Sequence, residues 1–235
     1  MRVLLLFIFT IPLIAGTYKA KIQPYESVTI SAQTSGEIIK LDQKDELKML
    51  DKKVLVIDHV LESKELKNDK QKLKLLQNQI AIKQRQYNRI KNLKGQSQTT
   101  KERYKSELLN YQMQSMDLKN AIARLEDIIR KKEITLHHKY LKKLYVKKGS
   151  FVAPGAKLME VEDQNSSRLV LFIDAKDRQN IQNKTILIDG KSAHGYKIEK
   201  AGDSTDEQYL SSYRVELTKE GKAPFGKIVT IEIKE

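Results

Sequence analysis

The chain has 235 residues and no cysteine, which leaves room for one large or two to three small domains and excludes disulfides, thiolate metal sites and a lipid-modified N-terminal cysteine. Lys and Arg outnumber Asp and Glu by 44 to 30, a net charge of +14. Such a balance suits nucleic acid or an anionic surface, but the lysines are interleaved with acidic residues along helical stretches and no aromatic stacking platform accompanies them. They read as solvated helix faces, and no nucleic-acid partner is expected.

Residues 1–16 read as a secretory signal peptide: one arginine, an apolar run from Val3 to Ile14, then Ala15-Gly16. The run is shorter than the ~20 residues of a spanning helix, and Pro12 suits a signal end better than an anchor. Retention as an uncleaved anchor is the alternative. Tyr18 to Ile30 alternates loosely and predicts a strand. Ser31 to Leu41 predicts another, broken by a turn at Gly36. Val54 to Asp58 predicts a short buried strand.

The stretch from Glu62 to Lys132 predicts two helices folded back on each other. Apolar residues recur in alternating steps of three and four, the heptad signature of a coiled-coil seam. In the first helix the seam is Leu66, Asp69, Leu73, Leu76, Ile80, Lys83, Tyr87 and Ile90. In the second it is Tyr104, Leu108, Tyr111, Ser115, Leu118, Ile122, Leu125 and Ile129. Lys94 to Thr100 breaks the pattern. Folding the chain near Ser97 sets Ile90 against Tyr104, Lys83 against Tyr111, Leu76 against Leu118 and Leu66 against Ile129, with every layer between them in register. An antiparallel hairpin explains that match; two separate parallel coils do not. The rod would be roughly 48 Å long at ~1.5 Å per residue. Its seam buries too little for a globular core, so it is built to reach something.

Beyond the rod, Leu144 to Val146 and Lys157 to Val161 predict strands joined through Gly149, Pro154 and Gly155. Pro154-Gly155 is a type II turn signal, because proline presets φ and glycine supplies a positive one. Segments 169–174, 185–189, 213–218 and 228–233 predict further short strands, at a spacing that suggests a small barrel. Two β halves thus bracket the rod, each too small to fold alone.

Chemistry-bearing motifs are few. Gly190-Lys191-Ser192 follows a strand, but a phosphate loop needs a glycine at position 185, where Thr185 stands, so a surface turn is expected. His137 and His138 are expected at the end of the second helix, where adjacent side chains diverge and do not share a metal. His59 and His194 are isolated. Asp163-Gln164-Asn165-Ser166-Ser167 matches the extended bacterial N-glycosylation sequon, a short pattern that also arises by chance. No nucleophile stands with a base, and no catalytic residue, metal or cofactor is expected.

This arrangement resembles the periplasmic membrane fusion proteins, the HlyD-like adaptor family of tripartite efflux and secretion systems. Thr34-Ser35-Gly36-Glu37-Ile38-Ile39 is similar to the opening of the family's first lipoyl half. Val146 to Leu158, with Gly149, Pro154 and Gly155 at its turns, is similar to the second half. Arg89, Leu93 and Thr100 follow the spacing of the Arg, Leu and Ser at the hairpin tip of resistance-nodulation-division adaptors, with Thr100 keeping the hydroxyl. The expected turn glycines of the first half are replaced by Asp45 and Asp51. The five methionines form no exported cluster, which argues against a copper or silver adaptor.

The resemblance implies an elongated mixed α and β fold: an antiparallel coiled-coil α-hairpin inserted in a split lipoyl-like β domain, followed by a small β-barrel. The segments would be 1–16 signal, 17–30 a strand joining the barrel or its junction, 31–61 and 137–164 the lipoyl-like halves, 62–136 the hairpin and 165–235 the barrel. It implies a non-enzyme without lipoylation, in the periplasm and associated with the inner membrane by peripheral contact. Its partners would be an inner-membrane transporter, a TolC-type outer-membrane channel docked at Arg89, Leu93 and Thr100, and further copies of the chain in a ring or funnel. An adaptor of an ABC-type exporter or type I secretion system is the alternative within the family. A periplasmic binding protein with a coiled-coil insertion is the alternative outside it, and would need a concave apolar pocket.

Overall fold

A computed structural model describes residues 16–234, so the expected signal peptide lies, but for Gly16, outside the described residues. In chain order the elements are β1 (Gly16–Lys21), β2 (Gln23–Ser31), β3 (Gly36–Lys40), β4 (Lys48–Ile57), α1 (Val60–Asn92), α2 (Gln98–Lys132), β5 (Glu133–Leu144), β6 (Phe151–Val152), β7 (Lys157–Ile173), α3 (Ala175–Arg178), β8 (Thr185–Ile188), β9 (Lys191–Ser192), β10 (Lys197–Thr205), β11 (Tyr213–Glu220) and β12 (Ile228–Lys234). They divide into two units: residues 29–160, which carry the hairpin, and residues up to 28 together with those from 161 onward.

In the hairpin unit β3 pairs antiparallel with β4 and β6, and β4 antiparallel with β5. Val54, Leu55, Val56 and Ile57 are all buried, so this strand reads as a continuous apolar run rather than an alternation. Ala32, Ile38, Leu50, Leu136, Leu141, Val152, Leu158 and Met159 are buried in the same β part. Gly36 has φ 152°, and a Cβ there would stand 2.6 Å from Ile57 Cγ2, so only glycine fits. Pro154-Gly155 fills a turn closed by Ala156 N–H to the Ala153 carbonyl at 3.0 Å, with Gly155 at φ 85°. Gly149, at φ 87°, sits in the preceding turn, where Ser150 N–H reaches the Lys147 carbonyl at 3.1 Å.

Three local expectations are corrected, ahead of that of the barrel. The second helix ends at Lys132, and His137 and His138 lie in β5 rather than at a helix end. The reason is tertiary pairing: Glu133 and Ile134 already face Val56 and Leu55 across the ladder, which overrides helix continuation. Neither Asp45 nor Asp51 takes the left-handed turn conformation; Leu47 does, at φ 63°. Leu47 N–H is fixed on the Leu141 carbonyl at 2.7 Å, while Asp45 is buried against Lys52 at 2.7 Å. The strand expected from Tyr18 to Ile30 is two strands, broken at Ile22, whose N–H turns to the Lys227 carbonyl at 2.9 Å.

In the other unit one antiparallel sheet has the order β1-β12-β8-β9, and β10, β11 and the far end of β7 form a second. Period-two alternation turns Leu169, Leu171 and Ile173, Val215 and Leu217, and Val229, Ile231 and Ile233 into one shared core with Ala20, Ile22 and Ile181. The expected barrel is corrected to two sheets facing one core, not a closed ring of hydrogen bonds among the described residues. Alternation supplies inward faces for either arrangement; β9 has only two residues, and β10 carries two register shifts, so edges remain.

Candidate docking site at the hairpin tip

The two helices pack against each other. Leu66, Leu73, Leu76, Ile80, Tyr87 and Ile90 of α1, and Tyr104, Tyr111, Leu118 and Ile129 of α2, are half-buried; Leu108, Ile122 and Leu125 are buried. The polar layers are absorbed rather than broken. Lys83 Nζ donates to Glu107 Oε2 at 2.7 Å and lies 5.8 Å from the centre of the Tyr111 ring. The Glu107 hydrogen bond raises the Lys83 pKa, and the Lys83 ammonium lowers that of Glu107. Lys70 meets Glu126 across the helices at 2.6 Å. Asp69 and Ser115 are buried, Asp69 accepting from Lys72 at 3.0 Å.

At the root, Lys132 is buried, pairs with Glu62 and donates to the Asp58 carbonyl at 2.8 Å. Burial pushes the Glu62 carboxyl up, but the Lys132 ammonium and a backbone N–H hydrogen bond together leave its pKa below the ordinary carboxylate value. His59 Nε2 is 3.1 Å from Glu133 Oε1 and its Nδ1 2.8 Å from Ser63 Oγ. Lys53 holds the other oxygen of Glu133 and lowers its pKa. Sequence reading missed this cluster, and its one signal was a charged residue at each end of the seam.

At the far end α1 stops at Asn92. Leu93 caps it in extended conformation, its N–H on the Ile90 carbonyl at 3.2 Å. Gly95 reverses the chain at φ 90°; a Cβ there would touch nothing within 4 Å, so the need is for the dihedral and not for space. Ser97 caps α2: its Oγ accepts Thr100 N–H at 3.2 Å and lies 2.9 Å from Thr100 Oγ1. Of the three expected tip residues, Arg89 is exposed, Leu93 is 48% exposed, and Thr100 is half-buried with its hydroxyl on Ser97. Between positions 85 and 105 seven basic residues face one acid, Glu102, which accepts from Gln98 at 2.9 Å. The tip therefore offers an exposed apolar side chain in a positive field.

Other motifs fall elsewhere. Lys191 and Ser192 are exposed on a two-residue strand. Asn165 is exposed within β7, but Ser167 of its sequon is buried, its Oγ 3.3 Å from Tyr196 Oη. Among the described residues no helix is long and apolar enough to cross a membrane.

No protein-family model and no curated protein matches this sequence. Solved structures do. The membrane fusion protein Spr0693 from Streptococcus pneumoniae is similar over 94% of this chain and 99% of its own, at TM-score 0.67 and 9% identity. A MacA–MexA chimeric protein containing the Pseudomonas aeruginosa MexA α-hairpin domain is similar over 94% of this chain and 81% of its own, at TM-score 0.61 and 19% identity. MacA from Actinobacillus actinomycetemcomitans is similar over 94% and 78%, at TM-score 0.57 and 19% identity. At such identities the likeness is one of fold.

Proposed function

We propose that this chain, whose fold is that of the membrane fusion proteins, is a non-enzymatic periplasmic adaptor bridging an inner-membrane transporter and a TolC-type outer-membrane channel. The observation that carries the reading is the hairpin. Two helices of 33 and 35 residues, roughly 50 Å long, rise from neighbouring strands and present an exposed leucine beside an arginine at their far end. In this reading the β part of the hairpin unit is the split lipoyl-like domain, copies of the chain assemble into a ring or funnel, and the β unit faces the transporter. The tip spacing of Arg89, Leu93 and Thr100 favours a proton-driven pump of the resistance-nodulation-division type. Leu93 fills a groove between partner helices, and the Arg89 fork bonds carboxylates or carbonyl oxygens. Thr100 acts through the turn that it closes with Ser97.

The test is Arg89→Asp in a strain lacking the chromosomal gene. Exposed charges contribute little to stability, so the variant should fold and be exported normally while efflux is lost. A normally exported variant that fully restores efflux would remove Arg89 from the docking contact.

A further inference from the structure

Lys67, Lys70 and Lys74 follow one another at steps of three and four residues, so they share one face of α1. They line an open groove of about 620 Å³ at the root of the hairpin, a size within the range of small-molecule sites. Its floor is Leu66 of α1 and Ile129 of α2, the last apolar layer of the seam, and both stay half-buried. Glu133 lies at one end, with its two oxygens already held by Lys53 and His59, so its charge is matched. The charges of the lysines are not. Lys70 shares an exposed pair with Glu126 at 2.6 Å, and Lys67 and Lys74 stand in no ion pair among the described residues.

We propose that this groove binds a single-chain amphipathic carboxylate, a ligand of the fatty-acid class. Hydrocarbon laid on Leu66 and Ile129 covers apolar surface that the seam leaves in water. The lysine stems extend that surface while their ammonium groups stay at the rim. The carboxylate accepts charge-assisted hydrogen bonds from Lys67 and Lys74, and Lys70 joins them by leaving an exposed pair that stabilises little. From Ser63 to Lys74 the groove follows α1 for roughly 16 Å at ~1.5 Å per residue. That length suits one extended chain, whereas a two-chain lipid needs a wider floor than two side chains supply. A second copy of the rod is a poor occupant, because residues 60–132 hold 18 basic against 8 acidic side chains and two such rods repel. The lining comes from α1, α2 and the first residue of β5. A bound ligand therefore bridges the hairpin to the strand at its foot and stiffens that joint, whatever the tip engages.

The test is calorimetric titration of the purified protein with sodium dodecanoate below its micelle threshold. One equivalent should bind with a dissociation constant on the order of ten micromolar, and more weakly as ionic strength rises. Dodecyltrimethylammonium, with the same chain and the opposite charge, should bind at least about tenfold more weakly. Lys67→Gln combined with Lys74→Gln keeps the fold, since both side chains are exposed, and should weaken dodecanoate binding about tenfold or more. Lys191→Gln combined with Lys222→Gln removes the same charge from exposed positions of the other unit and should bind as the wild type does. Absence of saturable dodecanoate binding, equal affinity of the wild type and the Lys67 and Lys74 double variant, or equal affinity for the two amphiphiles would overturn the assignment.

Discussion

Tyr18 fastens the first described strand of the β unit with one hydroxyl. It donates to Asp177 Oδ2 at 2.5 Å and accepts the Asp174 N–H at 3.2 Å. Asp177 is buried, and Lys184 stands 3.8 Å from its other oxygen. Burial and then the Asp177 hydrogen bond push the phenol pKa well above its ordinary value. Tyr18→Phe should cost ~1–3 kcal/mol, because Asp177 loses its short donor while staying buried. The pH dependence follows from the sign. A folded-state pKa above the unfolded ~10 leaves the contribution complete below about pH 10 and loses it as pH rises further. Urea unfolding at neutral and alkaline pH checks both points. The gap between wild type and Tyr18→Phe should shrink above pH 10, and a gap that widens would contradict the assignment.

At the scale of elements, the hairpin was legible because a heptad is a long, repeated signal, and a fold at one turn had to satisfy every layer at once. The Lys83–Tyr111 layer is the clearest instance: the seam arithmetic set these residues opposite each other, and they lie 5.8 Å apart, ammonium to ring centre. A further check exploits the absence of native thiols. Cysteines at positions 76 and 118 should crosslink within one chain, read as faster migration without a change in oligomer size; crosslinks solely between chains would favour separate coils. What was illegible lies where one residue type fits two backbones. Glu133-Ile134-Thr135-Leu136 continues a helical run by composition, and only its partners Val56 and Leu55 make it strand. Leu47 in the left-handed region carries no sequence mark, since glycine or asparagine is the usual sign. The engagement of Thr100 with Ser97 carried no sequence mark of its own either, because it depends on how α2 is capped.

At the scale of the whole molecule, the helices are an insertion whose two ends touch. Val56 pairs with Glu133, and Lys132 Nζ reaches the Asp58 carbonyl at 2.8 Å. Replacing residues 60–132 by a short glycine-containing turn should therefore leave β4 and β5 as an ordinary β-hairpin. The expected product unfolds cooperatively with a β-type circular dichroism spectrum; a chain that does not fold would show that the helices support the β part. The same closeness sets how motion travels. A rod of roughly 50 Å standing on two adjacent strands is a lever with a narrow fulcrum, and a tilt of about 5° there carries the tip through ~4 Å. That stroke is comparable to the width of a side chain, so a change confined to a few backbone hydrogen bonds at the foot becomes a choice, at the far end, between engaging a groove and missing it.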